Sequence, residues 1–402
     1  MIRRRLPRFY KGEIKDILIS LIDGSFCKGG DIGKFEEKFA EYIGTEFALT
    51  VSSGRQALDM ILASFGLEDG EEVIMSAYTL KNLVDIIEGR GLKARLVDIE
   101  PGSFNIDPLL IEKHITPKTR VIIATHIFGL PCDMDKICSI AKKRGILVVE
   151  DCAHALGSVY KGKKAGAIGD AAFFSLETIK PVNTFGGGVI TTNDKTTAEK
   201  LKTISERCPY RPGRLALKIL FSYFEHLVII SPLYILLVKA LAWNRTGAFI
   251  KNFYLASHKS TNVRNSRFAN IQAILGLKQL KDLDEKNAAR RIAAYTLTRS
   301  LKEIVCAQEG DETQNRTFYF FVVKLPYLKE KLESLRYKLL KYGVDAGIRS
   351  EITDDCSAYM GISDNYPVTK SIYATSMQLP MHDGLRKNDI DLIKNAAEAS
   401  LA

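Results

Sequence analysis

Tryptophan occurs once in the 402 residues, histidine six times and cysteine seven times. The cysteines form no CxxC pair and their number is odd, which gives no metal-ligand spacing and argues against a disulfide framework. Reduced thiols of a cytosolic protein are the simpler reading. Long apolar runs are also missing. In the most apolar stretch, Leu215 to Trp243, the longest uncharged run, Leu227 to Val238, has 12 residues and contains Pro232, whereas a membrane-spanning helix needs about 20. A secretory signal is not expected either, because Lys11, Glu13, Lys15 and Asp16 interrupt the apolar core that the basic start would need. The formal net charge of +10 favours contact with anions. Its basic residues gather at Arg3–Arg5, Arg207–Lys218 and Arg290–Arg291 without interleaved aromatics or a recognition-helix pattern, so nucleic acid is not an expected partner.

What is present is a folded globular composition, with 46% apolar and 26% charged residues. From about residue 45 to 192, β-like runs alternate with helical patterns: "FALTV", "EEVIM", "ARLVDI", "RVIIAT" and "ILVVED" are each followed by helical spacing or a turn. Continuous apolar strands joined by helices imply an α/β fold, a three-layer, mostly parallel sheet covered on both faces. "AAFFSL" and "GGVITT" are separated by a loop too short for a crossover helix, so an antiparallel pairing is expected there. The stretch from about 269 to 301 reads as one long helix. The remainder reads as a smaller C-terminal α+β domain. The expected division is a large domain over 1–255, with a hydrophobic insertion at about 209–255, and a second part over 256–402.

Ligands of such sheets bind at the carboxyl ends of the strands. Four pieces fall there. Ser53-Gly54-Arg55 stands between a strand and a helix, where backbone amides favour a phosphate. Asp151 ends "ILVVED", with His154 three residues on; Ser175 ends "AAFFS"; Lys180 follows within five residues. Singly, each has a plain reading: a solvated loop lysine, a helix-capping aspartate, a structural histidine, an ordinary turn. Together, a phosphate seat, a carboxylate that needs a cation and a lysine able to attack an aldehyde are what pyridoxal phosphate requires of its protein.

At these residues the chain resembles the DegT/StrS-type sugar aminotransferases, pyridoxal-phosphate enzymes of the aspartate-aminotransferase fold type. The likeness is carried by "VVEDCAHALGSVYKGKKAGAIGDAAFFSLETIK", "GGDIGKFEEKFAEYIGTEFALTVSSGRQAL", "THIFGLPCDMDKI" and "FANIQAILGLKQLKDLDEKNAARR" and covers most of the chain except about 205–260. It implies a seven-stranded sheet. It also implies that Lys180 joins the cofactor and moves protons, that Asp151 faces the pyridine nitrogen, and that His154 lies near the ring hydroxyl. Ser175 with Ser53, Gly54 and Arg55 would hold the phosphate. In "NVRNSRF", Asn265 matches an asparagine that reaches the neighbouring subunit's cofactor, which implies a homodimer with shared sites. Three positions depart from the pattern. Arg55 replaces a common Thr, Leu80 stands where an aromatic residue commonly stacks on the ring, and Gly186 replaces a Glu. The expected reaction moves an amino group from an amino acid, glutamate by resemblance, to a keto-sugar or related acceptor. A catalytically idle protein of this fold and a sugar dehydratase are the alternatives; the dehydratase variant carries histidine in place of the lysine.

The stretch Leu215 to Trp243 lies outside the resemblance. One reading is an inserted helical pair buried against its own domain or a partner. The other, slightly favoured, is an interfacial hairpin flanked by Arg211, Arg214, Lys218, Lys239 and Arg245, resting on an anionic leaflet. That reading places a cytoplasmic protein at the inner face of the membrane and suits a lipid-linked acceptor.

Overall fold

Residues 1–4, 9–231, 265–310, 314–325 and 331–401 are described by a computed structural model. Seven strands rich in aliphatic residues form the main sheet: β1 (Phe47–Val51), β2 (Glu72–Ser76), β3 (Lys93–Val97), β4 (Thr119–Thr125), β5 (Leu147–Asp151), β6 (Ala171–Ser175) and β7 (Gly188–Thr192). Their order is β1-β7-β6-β5-β4-β2-β3. Only β7 runs against its neighbours, pairing antiparallel with both β1 and β6; every other contact is parallel. The short link between β6 and β7 has no room for the crossover that a parallel return demands.

Both faces are covered, and the strands alternate between them. In β4, Val121 and Ile123 join one core with α3 (Gly54–Ser64), α4 (Asn82–Glu88) and α7 (Lys195–Glu206). Ile122 and Ala124 join the opposite core with α5 (Pro108–His114) and α6 (Met134–Arg144). At the β6–β7 end, Phe174 and Val189 pack on Phe35 and Phe39 of α2 (Asp31–Ile43). Near that end lie α1 (Glu13–Ile22) and α8 (Pro212–Ile230).

The single long helix expected at 269–301 is instead two, α9 (Asn270–Leu280) and α10 (Leu283–Leu301). The break falls where the packing partner changes. α9 lies so close to α2 that a Cβ on Gly276 would fall 2.6 Å from the Phe35 ring. α10 turns Ala294, Leu297 and Leu301 into a separate core with α11 (Leu332–Lys341), α12 (Lys387–Leu401) and a four-stranded sheet. That sheet has the order Cys306–Ala307, Phe321–Lys324, Ser376–Leu379, Gly347–Ile348. Ile2 joins this C-terminal core: its N–H donates to Gly343 O at 2.7 Å, and its carbonyl accepts from Asp345 N–H at 3.0 Å. Among the described residues, no helix is long and apolar enough to cross a membrane.

Candidate active site

Because β7 is reversed, its amino end lies on the same edge as the carboxyl ends of β1, β5 and β6. Val51 and Ser175 both pair with Gly188, and Asp151 pairs with Phe173 in the adjacent strand. The topology therefore assembles at one edge residues that are far apart in the chain.

At one end of the site, α3 begins just beyond β1. Ser53 caps it, its Oγ accepting from the Gln56 N–H at 3.1 Å, so the hydroxyl hydrogen can serve an anion above the helix's first amides. A Cβ on Gly54 would lie 3.4 Å from the Ser175 Cβ, which places Ser175 beside the same helix start. Gly188 tolerates no side chain there, since a Cβ would fall 2.7 Å from Phe174 O and 2.8 Å from Gly54 N.

At the other end, Asp151 is 6% exposed. One carboxylate oxygen accepts from the Ala153 N–H at 3.0 Å and the other from the Thr125 hydroxyl at 3.4 Å. Burial pushes its carboxyl pKa above the usual range; the Ala153 bond, the Lys180 charge and the Thr125 bond offset only part of that. A carboxylate so placed is stabilised by a further cation. Behind it, the His126 Nδ1 accepts from the Cys132 N–H at 3.0 Å, so its Nε2 donates to Glu150, which also accepts from the N–H groups of Gly166, Ile168 and Gly169. His126, Glu150 and Cys152 cluster closely, but the His126 and Glu150 lone pairs are engaged within the protein, and the cluster braces the end of β5.

Lys180 is 7% exposed. Its Nζ donates to Ala153 O at 2.8 Å and lies 4.1 Å from the centroid of the Tyr319 ring. Tyr319 stacks on His154 with centroids 4.4 Å apart, and Phe128 flanks the imidazole at 6.0 Å. Phe128 has φ 56° and points its N–H at His154 Nδ1, 3.4 Å away. The loop carrying Lys180 is clamped from α9. Gln272 donates to Thr184 O and Gly186 O, both at 2.9 Å, and Gln279 accepts from the Asn183 N–H at 2.9 Å.

The structure thus brings together Lys180, Asp151 and His154, and sets Ser53, Gly54 and Ser175 along the same edge. Arg55 lines the same cleft as Ser53, and its charge also acts on Glu177. Burial alone would raise the Glu177 carboxyl pKa, but the Lys218 ammonium, bonded to both oxygens at 2.7 and 2.8 Å, and the Arg55 guanidinium hold it below its usual value. Leu80 is exposed beyond Thr79, and Asn265 is exposed before α9. Thr125, Tyr319, Phe128, Gln272 and Gln279 were not singled out from the sequence, and Lys218 was read only as a cation flanking the insertion. Thr125 could have been, as the end of the strand beside Asp151.

These residues fit pyridoxal phosphate on three observations: a serine-capped helix start beside a second serine, a buried carboxylate whose raised pKa calls for a cation, and a buried lysine within its field. The pattern of the DegT/DnrJ/EryC1/StrS aminotransferase family matches residues 9–213 and 243–398. The dTDP-3-amino-3,6-dideoxy-alpha-D-galactopyranose transaminase of Aneurinibacillus thermoaerophilus is 29% identical, over 98% of this chain and 96% of its own. The GDP-perosamine synthase of Caulobacter vibrioides is 29% identical, over 97% and 96%. Among solved structures, an aminotransferase from Psychrobacter cryohalolentis superposes with a TM-score of 0.80 at 22% identity, covering 99% of this chain and 98% of its own. The pyridoxal-phosphate form of the sugar aminotransferase Spr1654 from Streptococcus pneumoniae gives 0.79 at 22% identity, covering 100% of both. These two likenesses carry the fold; the sequence match carries membership, and the chain belongs to the DegT/DnrJ/EryC1/StrS aminotransferase family.

Proposed function

We propose that the protein is a pyridoxal-phosphate-dependent aminotransferase that moves an amino group from glutamate to a keto-sugar in the synthesis of a cell-envelope polysaccharide or glycolipid. The observation that carries this reading is the buried Lys180 held against Ala153 O within the field of Asp151, at the edge where α3 begins. When bound, the cofactor supplies an electron sink for a carbon that has lost its proton. Lys180 Nζ would be the amine that holds the cofactor, and it would carry protons to and from the substrate carbon. Asp151 keeps a proton on the ring nitrogen, and Ser53, Gly54 and Ser175 seat the phosphate. His154, packed between Tyr319 and Phe128, orients the ring.

The family relatives supply the substrate class: their names specify sugars carried on dTDP and GDP, and in Pseudomonas aeruginosa a UDP-linked glucuronate. The active unit is a homodimer in which Asn265, exposed in the single chain, serves the partner's site. The protein works in the cytoplasm, and a place at the inner face of the membrane would bring a lipid-linked acceptor within reach as the alternative to a nucleotide-linked one. Adding L-glutamate to the cofactor-loaded protein should change its visible absorbance, and a keto-sugar nucleotide should restore it. A spectrum unmoved by any amino acid overturns the reading.

A further inference from the structure

A helix on the surface of a globular protein turns its apolar stripe inward and its polar face to water. α1 and α8 do the reverse. α8 buries Ile219 and Ser222 and half-buries Lys218, Tyr223 and His226, while Leu217, Leu220, Phe221, Phe224, Leu227 and Ile230 point outward. Each of these six is between 48% and 67% exposed. α1 buries Glu13 and Ser20 beside Ile17 and exposes Ile14, Leu18, Ile19, Leu21 and Ile22, the last at 86%. The two helices are joined. Tyr223 donates to Glu13 at 2.6 Å, Phe9 stacks on Tyr223 with centroids 4.8 Å apart, and Ile17 and Ile219 enter one buried cluster with Ile271 and Leu275 of α9. Both helices turn their buried sides to that cluster, so each outer face points away from it. The polar residues that amphipathic helices usually give to water are here used to bind the helices to the protein.

We propose that α1 and α8 together form a docking surface for an anionic lipid leaflet. Three observations select lipid over a second copy of the chain. The six outward residues of α8 carry no hydrogen-bonding side chain, whereas a protein interface carries about one hydrogen bond per 100–200 Å². The rim is basic at the start of α1, where Lys11 and Lys15 are exposed, in a chain of net charge +10; Arg211 and Arg214 at the start of α8 are exposed too but also line the cleft beside Ser53. The family pattern stops at 213 and resumes at 243, so α8 beyond residue 213, though not α1, lies outside the family pattern. Apolar side chains would enter the acyl boundary while the rim cations meet headgroup phosphates. The inference is independent of the reaction the protein catalyses.

The test is flotation of the full chain with vesicles of phosphatidylcholine alone and of phosphatidylcholine mixed with phosphatidylglycerol, at low and high salt. The protein should float with the mixed vesicles at low salt, and binding should weaken as salt rises. Leu220→Glu with Phe224→Glu should lower the bound fraction at least about tenfold, and Leu18→Glu on α1 should lower it severalfold by itself. Light scattering should show the same particle size for these variants as for the unaltered protein. Intact protein that stays unbound, or double-variant protein that binds as before, overturns the proposal. So does a double variant that falls apart into smaller particles, because the face would then lie between copies.

Discussion

Lys180 and Asp151 are the residues on which the chemistry rests, and each has a distinct signature. Lys180→Ala should abolish turnover, and borohydride treatment of the unaltered holoenzyme should fix the cofactor to the peptide containing Lys180. Labelling of another lysine would refute the assignment. Asp151→Asn should lower kcat by at least about 10²-fold while cofactor binding weakens far less, because the amide keeps the shape but cannot stabilise a protonated ring nitrogen. A variant with near-normal transamination would show that another group faces the ring. Ser53, Asp151, Ser175 and Lys180 were legible because each ends or follows a strand, and the sheet rule says where such ends collect. Tyr319 was not. In "FYFFVVKL" nothing distinguishes it from Phe318 or Phe320, and only folding lays its ring on His154 and under Lys180. Lys218 was legible as a charge, but its pairing with Glu177 depends on a helix packing angle that no local pattern encodes.

At the scale of elements, periodicity located the strands and their one reversal, but it failed where a helix changes partner. α9 and α10 keep one apolar rhythm across their break, so the sequence reads as continuous. α8 was read from its apolar content alone; the hairpin's second arm, 232–243, falls outside the described residues. α1 was overlooked because its apolar residues look like an ordinary core stripe until the structure shows them outside. The bond between these helices has a pH signature. Burial pushes the Glu13 carboxyl from 4.5 up to about 7, partly opposed by the hydrogen bond from Tyr223 and the Tyr10 N–H, with Asp16 nearby adding to the rise. The folded state therefore favours the protonated acid. Its contribution is complete below pH 4.5 and is lost as pH rises toward 7, up to ~3 kcal/mol over that window. Thermal unfolding should show unaltered protein losing stability relative to Glu13→Gln between those limits. Parallel curves for the two proteins would place the titration elsewhere.

At the scale of the whole molecule, the α/β class and the strand directions followed from the order of apolar runs, whereas the small sheet did not, because its strands of two to four residues are too short to show a period. The capture of Ile2 by the C-terminal core was equally hidden, since a two-residue contact leaves no pattern. Assembly carries its own prediction. If Asn265 serves the partner's cofactor, mixing inactive Lys180→Ala with inactive Asn265→Ala chains should restore activity to about a quarter of normal, because random pairing makes half the dimers mixed and each has one intact site. Proven subunit exchange without recovered activity would assign each site to a single chain.

Lys218 belongs to the helix that the family pattern omits, yet it neutralises Glu177 on the loop that positions Lys180, and its ammonium lies 2.7 Å from where a Cβ on Gly186 would stand. Gly186 also holds φ at 107°, a conformation that suits glycine. The insertion and the loop that carries Lys180 are therefore coupled by direct contact. A lineage that lost α8 would leave Glu177 with Arg55 as its remaining described counter-charge and a gap beside Gly186, so deletion would have to be followed by change at both positions.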